Sequence, residues 1–188
     1  MASASVSITA TADDVEELVP GTKFMDGLVS VGYDEGFGGV ESNGGLRFLS
    51  VGIDQGATIS TAKITVNVIN VTGTPDLIVY GVDADAAAAF ADPGNLPSAA
   101  TRTTASTAFA PTGTGSAEID VKAIVQEIVN RVGYAGGAIA FVIDDNAGAG
   151  TNYAEIEDID AAGSNEAQLD VTYSTGTPGD LMMVGVGR

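Results

Sequence analysis

The chain has no cysteine, no histidine and no tryptophan, and only seven lysines and arginines among its 188 residues. Each shortage closes off a kind of chemistry. Without imidazole or thiol there is no neutral-pH proton shuttle of the usual kind, no Ser-His or Cys-His nucleophile pair, and no thiolate or imidazole zinc site. No disulfide staples the fold, and a chain of 188 residues needs none, since it can bury roughly 70% of its unfolded surface. Against 25 acidic residues, the seven cations leave a net charge of −18. That field repels phosphate, which makes nucleic acid and anionic membranes poor partners. No run of about 18 apolar residues suggests a membrane span. The opening residues, MASASVSITATADD, lack a basic n-region and an apolar h-region, so no signal peptide is expected and the chain should stay in the cytoplasm of the cell that makes it. What remains open is carboxylate chemistry and the binding of hard cations by oxygen.

What the chain has in excess is glycine, 25 residues placed mostly between short apolar runs, as many turns and many strands require. Leu46, Phe48 and Val51 read as one strand. Asp54-Gln55-Gly56 forms a tight turn, and Ile64, Val66 and Val68 line one face of the next strand with Lys63, Thr65 and Asn67 between them. Ile69 and Val71 then fall on the opposite phase, which predicts a bulge or a strand that crosses from one packing environment to another. Val6 and Ile8 mark a first strand, followed by Asp13, Asp14, Glu16 and Glu17 as a solvated acidic patch. Further strands are expected at 27–33, 77–82, 138–143, 153–159 and 167–173. The stretch 34–45 reads as a flexible glycine-rich connection and 98–116 as a surface loop, while Asp85 is placed to cap a helical turn through Ala89. Ile124, Val125, Ile128, Val129 and Val132 recur at helical spacing within 117–133, with Asp120 as N-cap and Gly133 at C′. The expected fold is all-β, a jelly-roll β-sandwich with one short α-helix at about 120–132. In domain terms, 46–174 form the sandwich, 1–45 form N-terminal strands that either join it or make an arm, and 175–188 form an apolar tail.

Three segments in this order, GLRFLSVGIDQGATISTAKITV, EIDVKAIVQEIVNRVGYAGGAIAFVIDD and AQLDVTY, resemble the jelly-roll modules called DNRLRE domains. These are related to carbohydrate-binding-like modules and occur in bacterial surface proteins and in tailed-phage structural proteins. The likeness covers about residues 44–174. It implies the jelly-roll fold and, for a very acidic chain without an export signal, a noncatalytic virion protein assembled in the host cytoplasm. On that reading the chain is a capsid decoration (cement) protein whose partner is the major capsid protein. It would act as a homo-oligomer, a trimer if it occupies the three-fold positions of a shell. A tail-fibre, receptor-binding or other glycan-binding module is the alternative.

Four groups of residues are candidates for function. Asp144, Asp145, Glu155, Glu157 and Asp158, with Asn146 and Asp160 near them in sequence, could supply oxygens to Ca²⁺; the plain alternative is a charged edge that discourages strand aggregation. Tyr33, Tyr134 and Tyr153 are the rings left to stack on a sugar in the glycan reading. Leu181, Met182, Met183, Val184 and Val186, together with Val6 and Ile8, are expected to dock on a neighbouring subunit. Arg47, beside Phe48, is expected to pair with Asp83 or Asp85. No catalytic residue and no cofactor other than Ca²⁺ is expected.

Overall fold

The computed structural model describes residues 1–19, 21–24, 28–34, 39–90, 95–146, 150–160 and 165–175. They form β1 (Ala2–Ser7), β2 (Asp14–Leu18), β3 (Thr22–Phe24), β4 (Leu28–Asp34), β5 (Val40–Phe48), β6 (Thr58–Thr72), β7 (Leu77–Val82), β8 (Arg102–Phe109), β9 (Gly115–Asp120), α1 (Lys122–Val129), β10 (Ile139–Asp145), β11 (Asn152–Glu157) and β12 (Gln168–Ser174). The protein is all-β, an antiparallel sandwich of jelly-roll type. Hydrogen bonding runs β1-β12-β6-β11-β4-β5-β10-β7-β8, with β2 attached beside β5, β3 beside β2 and β9 beside β6. The N-terminal strands therefore belong to the same sheet as the rest.

Two strands turn this one sheet into two layers. β6 pairs with β12 through residues 58–65 and with β11 through residues 68–72, along the same edge. β5 does the same with β4 through residues 40–42 and with β10 through residues 44–48. A strand that changes neighbour part-way along marks a corner. At the β6 corner the register skips from Asn70 to Val68 opposite Glu155 and Ile156. Ile69 is the extra residue, 42% exposed, so the predicted bulge is present. The expected turn at residues 54–56 is also there, with Gly56 at φ 71°. However, β5 and β6 do not pair with each other; the connection between them crosses from layer to layer.

The main core fills the space between the layers, with Phe48 and Phe141 meeting edge to face at 5.9 Å between ring centres. A second, smaller cluster of Val15, Ala87, Phe90, Ala140 and Val142 lies on the outer side of β10. Alternate residues of β10 enter different cores, and this double burial explains the unbroken apolar run Ile139–Ile143. β5 separates the two clusters with glycine. A Cβ on Gly44 would stand 2.8 Å from Val31 Cγ2, and one on Gly45 2.7 Å from Phe90 Cε2. The stretch expected to be a flexible connection at 34–45 thus contains strand, because its glycines meet close packing and not conformational freedom.

Three other expectations are corrected. Residues 102–109 of the expected loop form β8, whose alternation is hidden by its short side chains. The helix spans only Lys122–Val129, since Ala117 and Ile119 turn inward with period two as β9 pairs with β6. Asp120 still serves the helix start by accepting the Lys122 N–H at 3.0 Å, and the buried face is Ile124, Val125, Ile128 and Val129, but Val132 lies beyond the helix and is 93% exposed. Residues 84–86 bend without forming a helical turn.

Candidate functional site

The acidic segment DVEEL makes β2, and its carboxylates, with that of Asp13, are buried and not solvated. A carboxylate is tolerated inside only where donors meet it. Asp13 takes the Arg47 guanidinium at 2.6 Å, and Arg47 Nε donates to the Ala87 carbonyl at 2.8 Å. Glu17, 0% exposed, accepts from the Ser98 amide at 2.7 Å and the Ser98 hydroxyl at 2.6 Å. Glu16 accepts the Ser30 N–H at 3.1 Å. These bonds clamp β2 and the segment before β8 over the smaller core.

Asp14 is different. Its Oδ2 accepts the Ile159 N–H at 2.8 Å, while its buried Oδ1 has no partner among the described residues. Burial first, then the nearby Asp158 and Asp160 charges, push its pKa up to about 7. Asp158, itself 1% exposed, accepts the Asp160 N–H at 2.8 Å, and the Thr11 hydroxyl reaches Asp160 at 3.2 Å.

The remaining described arginines also join distant parts of the chain. Arg102 grips Asp144 with two bonds of 2.7 and 2.9 Å, donates to the Ala100 carbonyl at 2.9 Å and lies over the Tyr80 ring. Arg131 pairs with Asp83 and with Asp85, the latter at 2.7 Å. Arg47 therefore has a partner other than the two expected for it, and Arg131 holds those two. The helix adds a clasp made of side chains. Gln126 bonds the Ile59 amide at 2.8 Å and the Ala57 carbonyl at 2.9 Å on one layer; Glu127 accepts the Thr104 and Ala105 amides of β8 at 2.8 and 2.7 Å on the other. Both residues stand in for a missing neighbouring strand.

The candidates from sequence are scattered across this frame. Asp144 and Asp145 end β10, while Glu155 and Glu157 lie on β11, a strand that pairs with β4 and β6 and not with β10. Asp144 is held by Arg102, and Glu157 by Asn165 at 3.0 Å and Asn67 at 2.6 Å, bonds that lower its pKa. Asp158 sits with Asp14 instead. Among the described residues no three acidic side chains come close enough to hold a metal ion. Tyr33 stands opposite Asn152 and Tyr153 opposite Gly32, which sends their rings to opposite faces of adjacent strands. Tyr134 is 3% exposed, with its hydroxyl pushed up to about 12 by burial and then by Tyr173, and presents no ring to a sugar. Val6 is half-buried in β1 and Ile8 is in the core. Leu181, Met182, Met183, Val184 and Val186 lie outside the described residues.

Sequence reasoning missed Asp14, Glu17, Gln126 and Glu127 as structural residues. One signal was present: four carboxylates within a five-residue span around Val15, itself 0% exposed, are hard to place wholly in water. Neither a search of protein-family models nor one of curated proteins finds a match to this chain.

Proposed function

We propose that the chain is a noncatalytic virion protein, a decoration (cement) protein that binds the assembled capsid lattice and stabilises it as a symmetric oligomer. The observation that carries this reading is the direction of the polar chemistry. Arg47, Arg102, Arg131, Glu17, Gln126 and Glu127 turn their charged or amide groups toward the protein itself, fixing loops and sheet edges into one rigid body. A body built this way acts through its surface. The resemblance of residues 44–174 to modules of tailed-phage structural proteins narrows that surface to a shell, and the net charge of −18 keeps decorated particles dispersed. Binding only the assembled lattice would stabilise it by mass action. The glycan alternative has less support, since Tyr33, Tyr134 and Tyr153 share no exposed face.

The test is to mix the protein with undecorated shells and count bound copies. Saturation at a fixed number of copies per lattice position is the expected outcome, with a raised shell melting temperature. Absence of binding, or a few copies at a single vertex, would overturn the reading.

A further inference from the structure

Sheet edges are where β-proteins guard against unwanted pairing, and here they are treated unequally. Among the described residues β8 pairs only with β7, and the Glu127 carboxylate covers its Thr104 and Ala105 amides. β9 pairs only with β6 and carries Glu118 and Asp120. Among the described residues β1 pairs only with β12, and from Ala2 to Ser7 it has no charge and no proline; Gln168 of β12 donates to the Ser5 hydroxyl at 2.8 Å from the paired side.

We propose that β1 pairs antiparallel with β1 of a second copy, about a two-fold axis at Ser5, joining two sandwiches through one continuous sheet. Three observations select a second copy as the occupant. First, the edge is neutral on a chain of net charge −18, so like edges can meet where other faces would repel. Second, the alternation is self-complementary. Ser3, Ser5 and Ser7 point to solvent, and Ala2, Ala4 and Val6 are half-buried against the main core. Antiparallel pairing centred on Ser5 sets Ser3 against Ser7 and Ala4 against Val6, so hydroxyls face hydroxyls and the apolar row continues across the joint. Third, a two-fold axis satisfies both free edges at once and closes the assembly. The inference stands apart from the capsid reading and can fail without it.

Sedimentation equilibrium on the full chain tests it with two double variants. Ser3→Lys with Ser7→Lys places two like-charged pairs across the joint, and dimer dissociation should become about tenfold easier. Ser3→Lys with Ser7→Glu places two opposite pairs there, and association should match or exceed the wild type. A mere net-charge effect gives the reverse order, because the Lys/Lys variant carries the less negative chain. Unchanged circular dichroism confirms that these exposed changes leave the fold intact. A wild type that stays monomeric to about 1 mM, or an association indifferent to both variants, would sink the proposal.

Discussion

A carboxyl that is 2% exposed, bonded through one oxygen to Ile159 and with no partner for the other among the described residues, holds a proton more readily than a charge. Asp14 has a folded pKa of about 7 against an ordinary value of 3.8. Between those two values the folded chain keeps a proton that the unfolded chain has released, so this group's contribution is fully present at low pH and is lost as pH climbs toward 7. From pH 5 to pH 8 stability should fall, by a few kcal/mol at most, and thermal unfolding should show the melting temperature falling with it. Asp14→Asn, which keeps the shape and stays neutral, should flatten the profile and exceed the wild type at pH 8; a wild-type curve that rises across this range would refute the assignment. Nothing in the string DDVEEL singles out Asp14 from its neighbours. Each of the others finds a donor brought by a remote segment, Arg47, Ser30 or Ser98, and sequence distance gives no view of which carboxylate will be left over. For the same reason Arg131 holds the two aspartates expected for Arg47: charge says that an arginine pairs, and only topology says with whom.

Among the elements, the helix repays attention because its polar face bonds to strand backbone. Glu127→Ala should strip the Thr104 and Ala105 amides of their acceptor, and amide hydrogen exchange at those two positions should speed up while the β10 amides stay protected. Stability should fall by about 1–2 kcal/mol, the usual consequence of leaving such donors unpaired. Equal acceleration throughout the sheet would mean global loosening, not a lost edge bond. The helix's apolar face was legible, since Ile124, Val125, Ile128 and Val129 repeat at 3.6 residues and all are buried. Elsewhere, alanines and short hydroxyl residues look alike in either period. β8 escaped for that reason, with Thr103, Ala105 and Thr107 alternating against Thr104, Ser106 and Ala108 at almost no contrast in hydropathy. β5 was obscured by paired glycines, which usually signal loops and here permit contact.

For the molecule as a whole, eight of the twelve described strands and the bulge at Ile69 were readable, and they led to the right architecture; pairing order was not, since nothing local says that β5 and β6 lie apart. A charge of −18 with its described arginines already committed to internal pairs leaves the exterior repelling itself. Raising NaCl from about 0.01 M to 1 M, where the screening length shrinks from about 30 Å to 3 Å, should therefore raise the melting temperature. A decrease would mean that the ion pairs outweigh the surface field.

The adjacent glycines of β5 have one more consequence. With Val31 pressing from one side and Phe90 from the other, the backbone itself is the full thickness of the partition between the two apolar clusters. Neither compartment can enlarge at that point without denting the other, so a methyl group added to Gly44 or Gly45 would be felt on both sides of the wall, and the two cores must be redesigned together or left alone.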